Sequence, residues 1–155
     1  MSPAANEADE ELLAAIQKMG RLMSSRKATG RIADAAGTEI GQQGVQIVRA
    51  LHRNGDLPIA RLALAAGMDI SAVSRQLRAF EADGLVERSP SADDARVAII
   101  SLTPAGTKVA ERLRAVGLRH LTDTLRGWSA DDRADLTRLL TRLVDDFAHT
   151  EVAGE

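Results

Sequence analysis

The chain lacks cysteine and is poor in aromatic residues, and both features exclude classes of function. None of its 155 residues is cysteine, so disulfides, thiol catalysis, thiolate metal sites and thiol redox sensing are excluded. Aromatic residues make up only 2% of the chain, namely Phe80, Trp128 and Phe147. Binding of single-stranded nucleic acid relies on bases stacking on aromatic side chains, so this composition disfavours it. The core must instead be built from Leu, Val, Ile and Ala.

The sequence also lacks the features of a membrane protein, a metalloprotein or an enzyme. No apolar run reaches membrane length, and no basic region precedes the apolar residues of the N-terminus. We therefore expect a soluble cytoplasmic protein without a membrane partner. His52, His120 and His149 share no ligand spacing, so we predict no metal site and no cofactor. Because no nucleophile–base pairing or phosphate loop is present, we predict that the protein is not an enzyme.

The charge balance limits what basic residues can be taken to mean. The formal net charge is −2, which argues mildly against a nonspecific binder of polyanions but leaves room for a localised basic face. Nearly all the cations are arginine in a chain that is rich in alanine. An argument from arginine must therefore rest on where each one is placed.

Hydrophobic periodicity predicts a mainly helical chain in the order α-α-α-α-β-β-α-α. Four glycines between residues 30 and 44 predict a loop or a weak helix start in that segment. Elsewhere, Asp69, Thr103 and Ser129 are predicted helix caps, the last with Asp132 in the manner of a capping box. The predicted helices cover residues 8–27, 39–54, 59–66, 70–80, 104–126 and a final segment after 129. Residues 57–58 are predicted to be extended, and the predicted strands cover 85–89 and 96–102.

The stretch ISAVSRQLRAF, residues 70–80, predicts a helix with two chemically different faces. Ile70, Val73, Leu77 and Phe80 form an apolar stripe, and the opposite face carries two serines and two arginines, Ser71, Ser74, Arg75 and Arg78. A preceding helix and a tight turn at Gly67 complete a helix-turn-helix outline. A helix in the DNA major groove needs such a face, although a plain solvated face would look the same.

The segment after this helix favours the DNA-binding interpretation. The two predicted strands and the polar turn PSADDA form a β-hairpin, which in this position resembles a wing. Arg96 at its tip is placed to enter the negatively charged minor groove, with Asp94 holding its guanidinium. The alternative is an ordinary surface pair worth well under about 1 kcal/mol.

Residues 62–106 resemble the winged-helix core of the MarR family of transcriptional regulators. The resemblance rests on the S-x-V-S-R helix, the GLVER entry to the wing, the D-x-R at its tip and the SLTPAG that follows. It implies a homodimer that binds a pseudo-palindromic operator in double-stranded DNA. It also implies DNA contacts from the wing pair, Asp94 and Arg96, and from recognition-helix positions Ser71, Ala72, Ser74, Arg75 and Arg78.

The chain departs from the family pattern at two places. The family usually carries two adjacent basic residues at the wing tip, and Ala95 replaces the first, which predicts weaker wing binding. The segment 37–44 is also richer in glycine than the family's second helix. The absence of cysteine removes the peroxide-sensing mode of some relatives.

The resemblance further implies a small-molecule effector, often an anionic aromatic, bound between the dimer helices and the winged helix. Met19, Met23, His52 and Arg53 are candidate lining residues, although His52 is favoured as a surface residue at a helix end. The ligand-binding residues themselves are unknown from sequence.

We therefore predict a mainly α fold with a small β-hairpin wing. A winged helix-turn-helix core at 37–103 is flanked by an N-terminal dimerisation helix and loop at 1–36 and by C-terminal dimerisation helices at 104–155. Wide apolar stripes on the terminal helices favour a dimer. The alternatives are a monomer whose terminal helices fold back on the core, and a winged helix that binds another protein rather than DNA.

Overall fold

A computed structural model describes residues 3–23, 25–94 and 96–150 and confirms a mainly helical fold with one small sheet. The chain divides into two compact units, residues 1–117 and residues 118–155. The predicted division into dimerisation and DNA-binding parts stays a prediction. Among the described helices, none has the length and apolar character needed to cross a membrane. The elements are α1 Pro3–Met23, α2 Arg26–Ala35, α3 Gln42–Asn54, β1 Leu57–Pro58, α4 Ile59–Ala66, α5 Ile70–Ala82, β2 Val86–Pro90, β3 Ala98–Leu102, α6 Pro104–Thr124 and α7 Ala130–His149.

Residues 26–27 were predicted to end the first helix, and the segment from residue 30 was predicted to be a loop or a weak helix start. Both belong instead to a separate helix, α2, so the loop alternative is wrong for residues 30–35. The Ser25 hydroxyl accepts the N–H of Ala28 at 3.1 Å and caps the helix. Ala33 and Ala36 are buried in the core at its other end. Gly30 costs the helix about 1 kcal/mol relative to alanine. Packing against the core offsets that cost, since tertiary burial supplies most helix stability in proteins.

The sheet has three antiparallel strands in the order β1-β3-β2, one more than predicted. The predicted hairpin is present, with Val86 of β2 opposite Leu102 of β3. On the other side of β3, Leu57 of β1 pairs with Ile100. Residues 57–58 were predicted to be extended, but a two-residue strand has no periodicity that could reveal its partner.

The core of the first unit lies where α3, α4, α5, α6 and the sheet meet. Each helix contributes one stripe at helical spacing, because residues three and four apart share a face. On α5 the stripe is Val73, Leu77 and Phe80, none of them more than 2% exposed. The other fully buried large side chains are Val45, Ile47, Val48, Leu62, Ile100 and Leu113.

Two of the three predicted caps form hydrogen bonds. The Thr103 hydroxyl accepts the N–H of Gly106 at 3.1 Å and donates to the Gly84 carbonyl at 2.6 Å, which joins the start of α6 to the wing. The Ser129 hydroxyl accepts the N–H of Asp132 at 3.0 Å. Asp69 occupies the N-cap of α5 but makes no side-chain cap bond, so that predicted interaction is wrong.

Candidate nucleic-acid interface

The turn between α4 and α5 fixes the orientation of the second helix. Gly67 ends α4 in the left-handed conformation, with φ of 63°, where a side chain would be strained. Its N–H and that of Met68 donate to the carbonyls of Leu64 and Ala63 at 3.1 and 2.9 Å. Such a pair of bonds satisfies the last free carbonyls of a helix. Because α4 ends at this turn and α5 begins at Ile70, only residues 67–69 separate the two helices, as in a helix-turn-helix.

The outward face of α5 carries the polar side chains that the sequence predicted. Ser71, Arg75 and Arg78 are exposed, and Ser74 is half-buried. Arg75 follows Ser71 by four residues and Arg78 follows Ser74 by four, so each arginine lies one turn beyond a serine. Within the described part of the chain, neither arginine forms an ion pair. Both guanidinium groups are thus available to an anionic or hydrogen-bonding partner.

Two residues of α5 lie on the opposite sides from those predicted. Ala72 is only 5% exposed, so its predicted role as a DNA-contact residue is not supported by its position. It directly precedes Val73 and lies beside the buried stripe. Ile70, predicted to belong to the apolar stripe, is 54% exposed, and that prediction is wrong. A helical wheel gives the direction of a side chain but not what covers it.

The tip of the wing is organised by Asp94, though not as predicted. Its carboxylate accepts the backbone N–H of Arg96 at 2.9 Å, and its carbonyl accepts the N–H of Val97 at 2.9 Å. Among the described residues there is no ion pair between the Asp94 and Arg96 side chains, so the predicted contact with the guanidinium is wrong. An aspartate that bonds the backbone two residues on stabilises a tight turn. Arg96 is therefore presented by a fixed backbone with its side chain exposed, while Ala95 lies outside the described residues.

An ion pair that sequence reasoning missed joins the recognition helix to the wing. Arg88 of β2 donates through Nε to a carboxylate oxygen of Glu81 near the end of α5. Both side chains are about one third exposed, so the pair contributes at most about 1 kcal/mol. It also neutralises a carboxylate at the end of the basic helix. The sequence does show that Glu81 and Arg88 carry opposite charges. Because a turn lies between them, their spacing of seven residues does not by itself predict that they are in contact.

Two further arginines, Arg49 and Arg53, lie on α3. Burial, and then the like charge of Arg53, lower the pKa of the Arg49 guanidinium from its ordinary value. The Arg49 guanidinium also lies next to Gly117 of α6, where an added Cβ would be 3.7 Å from Nη2. His52 is exposed near the end of α3, as favoured from sequence.

A groove of about 750 Å³ lies between α3, the helix-turn-helix turn and α5. None of the candidate effector residues Met19, Met23, His52 and Arg53 lines it, and the predicted effector pocket stays a prediction. Its lining residues are Gly30, Ile40, Gly41, Gln42, Gln43, Gln46, Ala66, Gly67, Met68 and Gln76.

Comparison with known proteins agrees with this geometry. Residues 42–98 match the model of the MarR family, a segment that runs from α3 into β3. The HTH-type transcriptional regulator YxaD of Bacillus subtilis (strain 168) is 27% identical over 137 residues, which cover 88% of this chain and 90% of YxaD. The HTH-type transcriptional repressor IacR of Pseudomonas putida is 25% identical over 95 residues, which cover 61% of this chain and 57% of IacR.

Solved structures extend the likeness to most of the chain. One is the crystal structure of a MarR-family transcriptional regulator from Silicibacter pomeroyi, whose sequence is 26% identical to this one. The two structures superpose with a TM-score of 0.70, and the match covers 89% of this chain and 92% of that one. These three proteins are named as transcriptional regulators. In its winged helix and in the match across residues 42–98, the core of this chain is similar to that of the MarR family of transcriptional regulators.

Proposed function

We propose that the protein is a homodimeric, sequence-specific DNA-binding repressor that places one α5 helix per subunit in the major groove of a pseudo-palindromic operator. One observation carries this proposal, namely the outward polar face of α5 opposite a fully buried apolar stripe. In this arrangement the buried stripe fixes the helix to the core while the other face is free to meet DNA. The proposed DNA-contact residues are Ser71, Ser74, Arg75, Arg78, Asp94 and Arg96.

The chemistry of the α5 face suits the major groove. Serines near the start of a helix let its backbone approach base edges closely, and they can hydrogen-bond to several bases. Arginine donates two parallel hydrogen bonds to the O6 and N7 atoms of guanine, or to a phosphate. We assign Arg75 to a base contact and Arg78 to a base or phosphate. Arg96, at the tip of the wing, is proposed to lie in the adjacent minor groove, with Asp94 ordering the turn beneath it.

Apolar side chains left exposed by the single chain support a dimer. Helix α7 has no buried residue, although its apolar residues recur at helical spacing. Large exposed apolar faces on a folded protein indicate an interaction surface. We propose that a second copy covers them. The exposed residues are Leu12, Leu13, Met19, Leu22 and Met23 of α1, Leu118 and Leu121 of α6, and Leu139, Leu140, Val144 and Phe147 of α7.

Dimerisation explains how so small a DNA-binding unit gains specificity. A single recognition helix contacts few base pairs, whereas two copies contact half-sites about 34–36 Å apart on one side of the duplex. The proposed operator is therefore pseudo-palindromic. Repression rather than activation is supported by the likeness to the repressor IacR. Release by a small-molecule effector, an anionic aromatic by the family resemblance, completes the proposal for this cytoplasmic regulator.

Selection of bound sites from random duplex DNA tests the proposal directly. We expect a palindromic site whose affinity falls steeply as the salt concentration rises, because cations released from phosphates drive binding. Replacing Arg75 by alanine is expected to weaken binding to that site by about 1–3 kcal/mol and to relax the preference at one base pair per half-site. The matched control is Arg138→Ala in α7, an exposed arginine that pairs with Asp135, which should leave affinity unchanged.

A second candidate function is a protein-interaction module that uses the same fold. The net charge of −2 favours it, because nonspecific attraction to DNA is weak for an acidic protein. A chain that dimerises but binds no DNA even at low salt would support this alternative and contradict the repressor.

A further inference from the structure

Ile70 is an exposed apolar residue at the first position of α5. It is 54% exposed, whereas Val73, Leu77 and Phe80 of the same helix are at most 2% exposed. Isolated exposed apolar residues are common on proteins and by themselves need no explanation. The position of Ile70 is unusual because it adjoins the polar face that we propose to meet DNA.

Neither the core nor the start of the helix explains an isoleucine here. The start of a helix is often closed by an apolar contact between the residue before the N-cap and the fourth residue of the helix. Because Asp69 is the N-cap of α5, these two positions are Met68 and Val73. Met68 packs against the core and Val73 is fully buried. Ile70 lies between these two positions and belongs to neither. As a β-branched residue it is also a weaker helix former than alanine or leucine.

Ile70 is aligned with two of the proposed DNA-contact residues. Ser74 follows it by four residues and Arg78 by eight, so the three side chains form one row along the helix. Ile70 stands at the N-terminal end of that row. In a helix-turn-helix, the N-terminal residues of the recognition helix are the ones that contact base edges. A row that brings Ser74 and Arg78 to the DNA therefore brings Ile70 to the bases.

We infer that Ile70 is a specificity-determining residue that contacts the C5-methyl group of one thymine in each operator half-site. The thymine methyl is the apolar group that unmodified base pairs present in the major groove, and apolar side chains contact it there. Burying it against Ile70 would remove both apolar surfaces from water, which favours thymine over cytosine at that position. This inference rests on the proposed function, since it requires α5 to lie in the major groove.

The test removes the methyl group from the DNA and the side chain from the protein. Starting from the selected operator, each thymine is replaced in both half-sites by deoxyuridine, which differs only in lacking the methyl. Affinities are measured by fluorescence anisotropy for the original protein and for the variants Ile70→Ala and Ile70→Val. Circular dichroism confirms that each variant is folded, and sedimentation confirms its oligomeric state.

We expect one thymine per half-site at which deoxyuridine weakens binding about fourfold for each methyl removed. Ile70→Ala should bind the thymine and deoxyuridine forms of that site equally, while Ile70→Val should keep most of the difference. The inference is overturned if Ile70→Ala shows the same loss as the original protein, or if no thymine is sensitive. Either result leaves the repressor proposal intact when a palindromic site is still bound, whereas failure to select any site would contradict the repressor itself.

Discussion

Gly106 of α6 packs directly against the backbone of Leu85 at the base of the wing. A Cβ atom added at Gly106 would overlap with the Leu85 carbonyl oxygen. That oxygen also accepts the N–H of Thr103 at 3.1 Å. The start of α6 and the entry to the wing are therefore joined through backbone atoms, which cannot move aside as a flexible side chain would.

Replacing Gly106 by alanine should destabilise the protein by about 1–3 kcal/mol, the usual cost of inserting an atom into a packed region. Urea unfolding followed by circular dichroism measures this change, at one fixed protein concentration if the protein is a dimer. Fluorescence is less suitable, because Trp128 lies in the second unit. Gly117→Ala in the same helix is the control. Its added Cβ makes only an ordinary contact with Arg49, so stability should be unchanged or higher by up to about 1 kcal/mol.

A second close approach couples α3 to the recognition helix. A Cβ added at Gly44 would lie 2.5 Å from Cζ of Phe80, a ring that is only 2% exposed. We expect Gly44→Ala to cost about 1–3 kcal/mol in urea unfolding. Phe80→Leu should cost less in the Gly44→Ala background than in the original chain, since the smaller side chain makes room for the methyl. A coupling of about 0.5–3 kcal/mol is typical of residues in contact, and strictly additive effects would contradict this packing.

Two substitutions at Asp94 distinguish its backbone contact from a charge interaction. Asparagine keeps a side-chain oxygen that can accept the Arg96 N–H, whereas alanine does not. If Asp94 orders the wing turn, Asp94→Asn should bind the selected operator at least as tightly as the original protein, because it also removes a negative charge near the phosphates. Asp94→Ala should bind more weakly, by about 0.5–1.5 kcal/mol, which is the typical net worth of one hydrogen bond. Equal losses for both variants in a DNA-binding titration would instead indicate that the negative charge itself is required.

A glutamate at Val144 tests whether α7 forms the dimer. Val144 is 64% exposed in the single chain, so a charge there should be tolerated by a monomer. In a dimer the same position would bury an unpaired carboxylate, which is costly. We expect Val144→Glu to shift the protein from dimer to monomer in analytical ultracentrifugation. Asp145→Lys, a charge change at the next residue and on the polar side of the helix, should remain dimeric. A dimer that persists in Val144→Glu would place the interface elsewhere.

Much of the fold and of the candidate site followed from the sequence, because the signals were local. The stripe of Val73, Leu77 and Phe80 has the helical period, and a glycine at position 67 suits the left-handed end of a helix. The hydroxyls of Thr103 and Ser129 cap the helices that follow them. The polar face of α5 and the hairpin after it were predicted for the same reason, since side-chain direction in a regular helix or strand depends only on spacing.

The tertiary structure decided what spacing cannot specify, namely which neighbour each group meets. Helix α2 forms despite Gly30 because Ala33 and Ala36 pack against a core assembled from distant segments. Strand β1 exists because β3, about forty residues away, offers it hydrogen bonds. Ala72 is buried and Ile70 exposed because the surrounding elements cover one and leave the other open. The sequence by itself thus determined the periodic elements and their faces, and only the packing of distant segments determined which side chains are left for DNA.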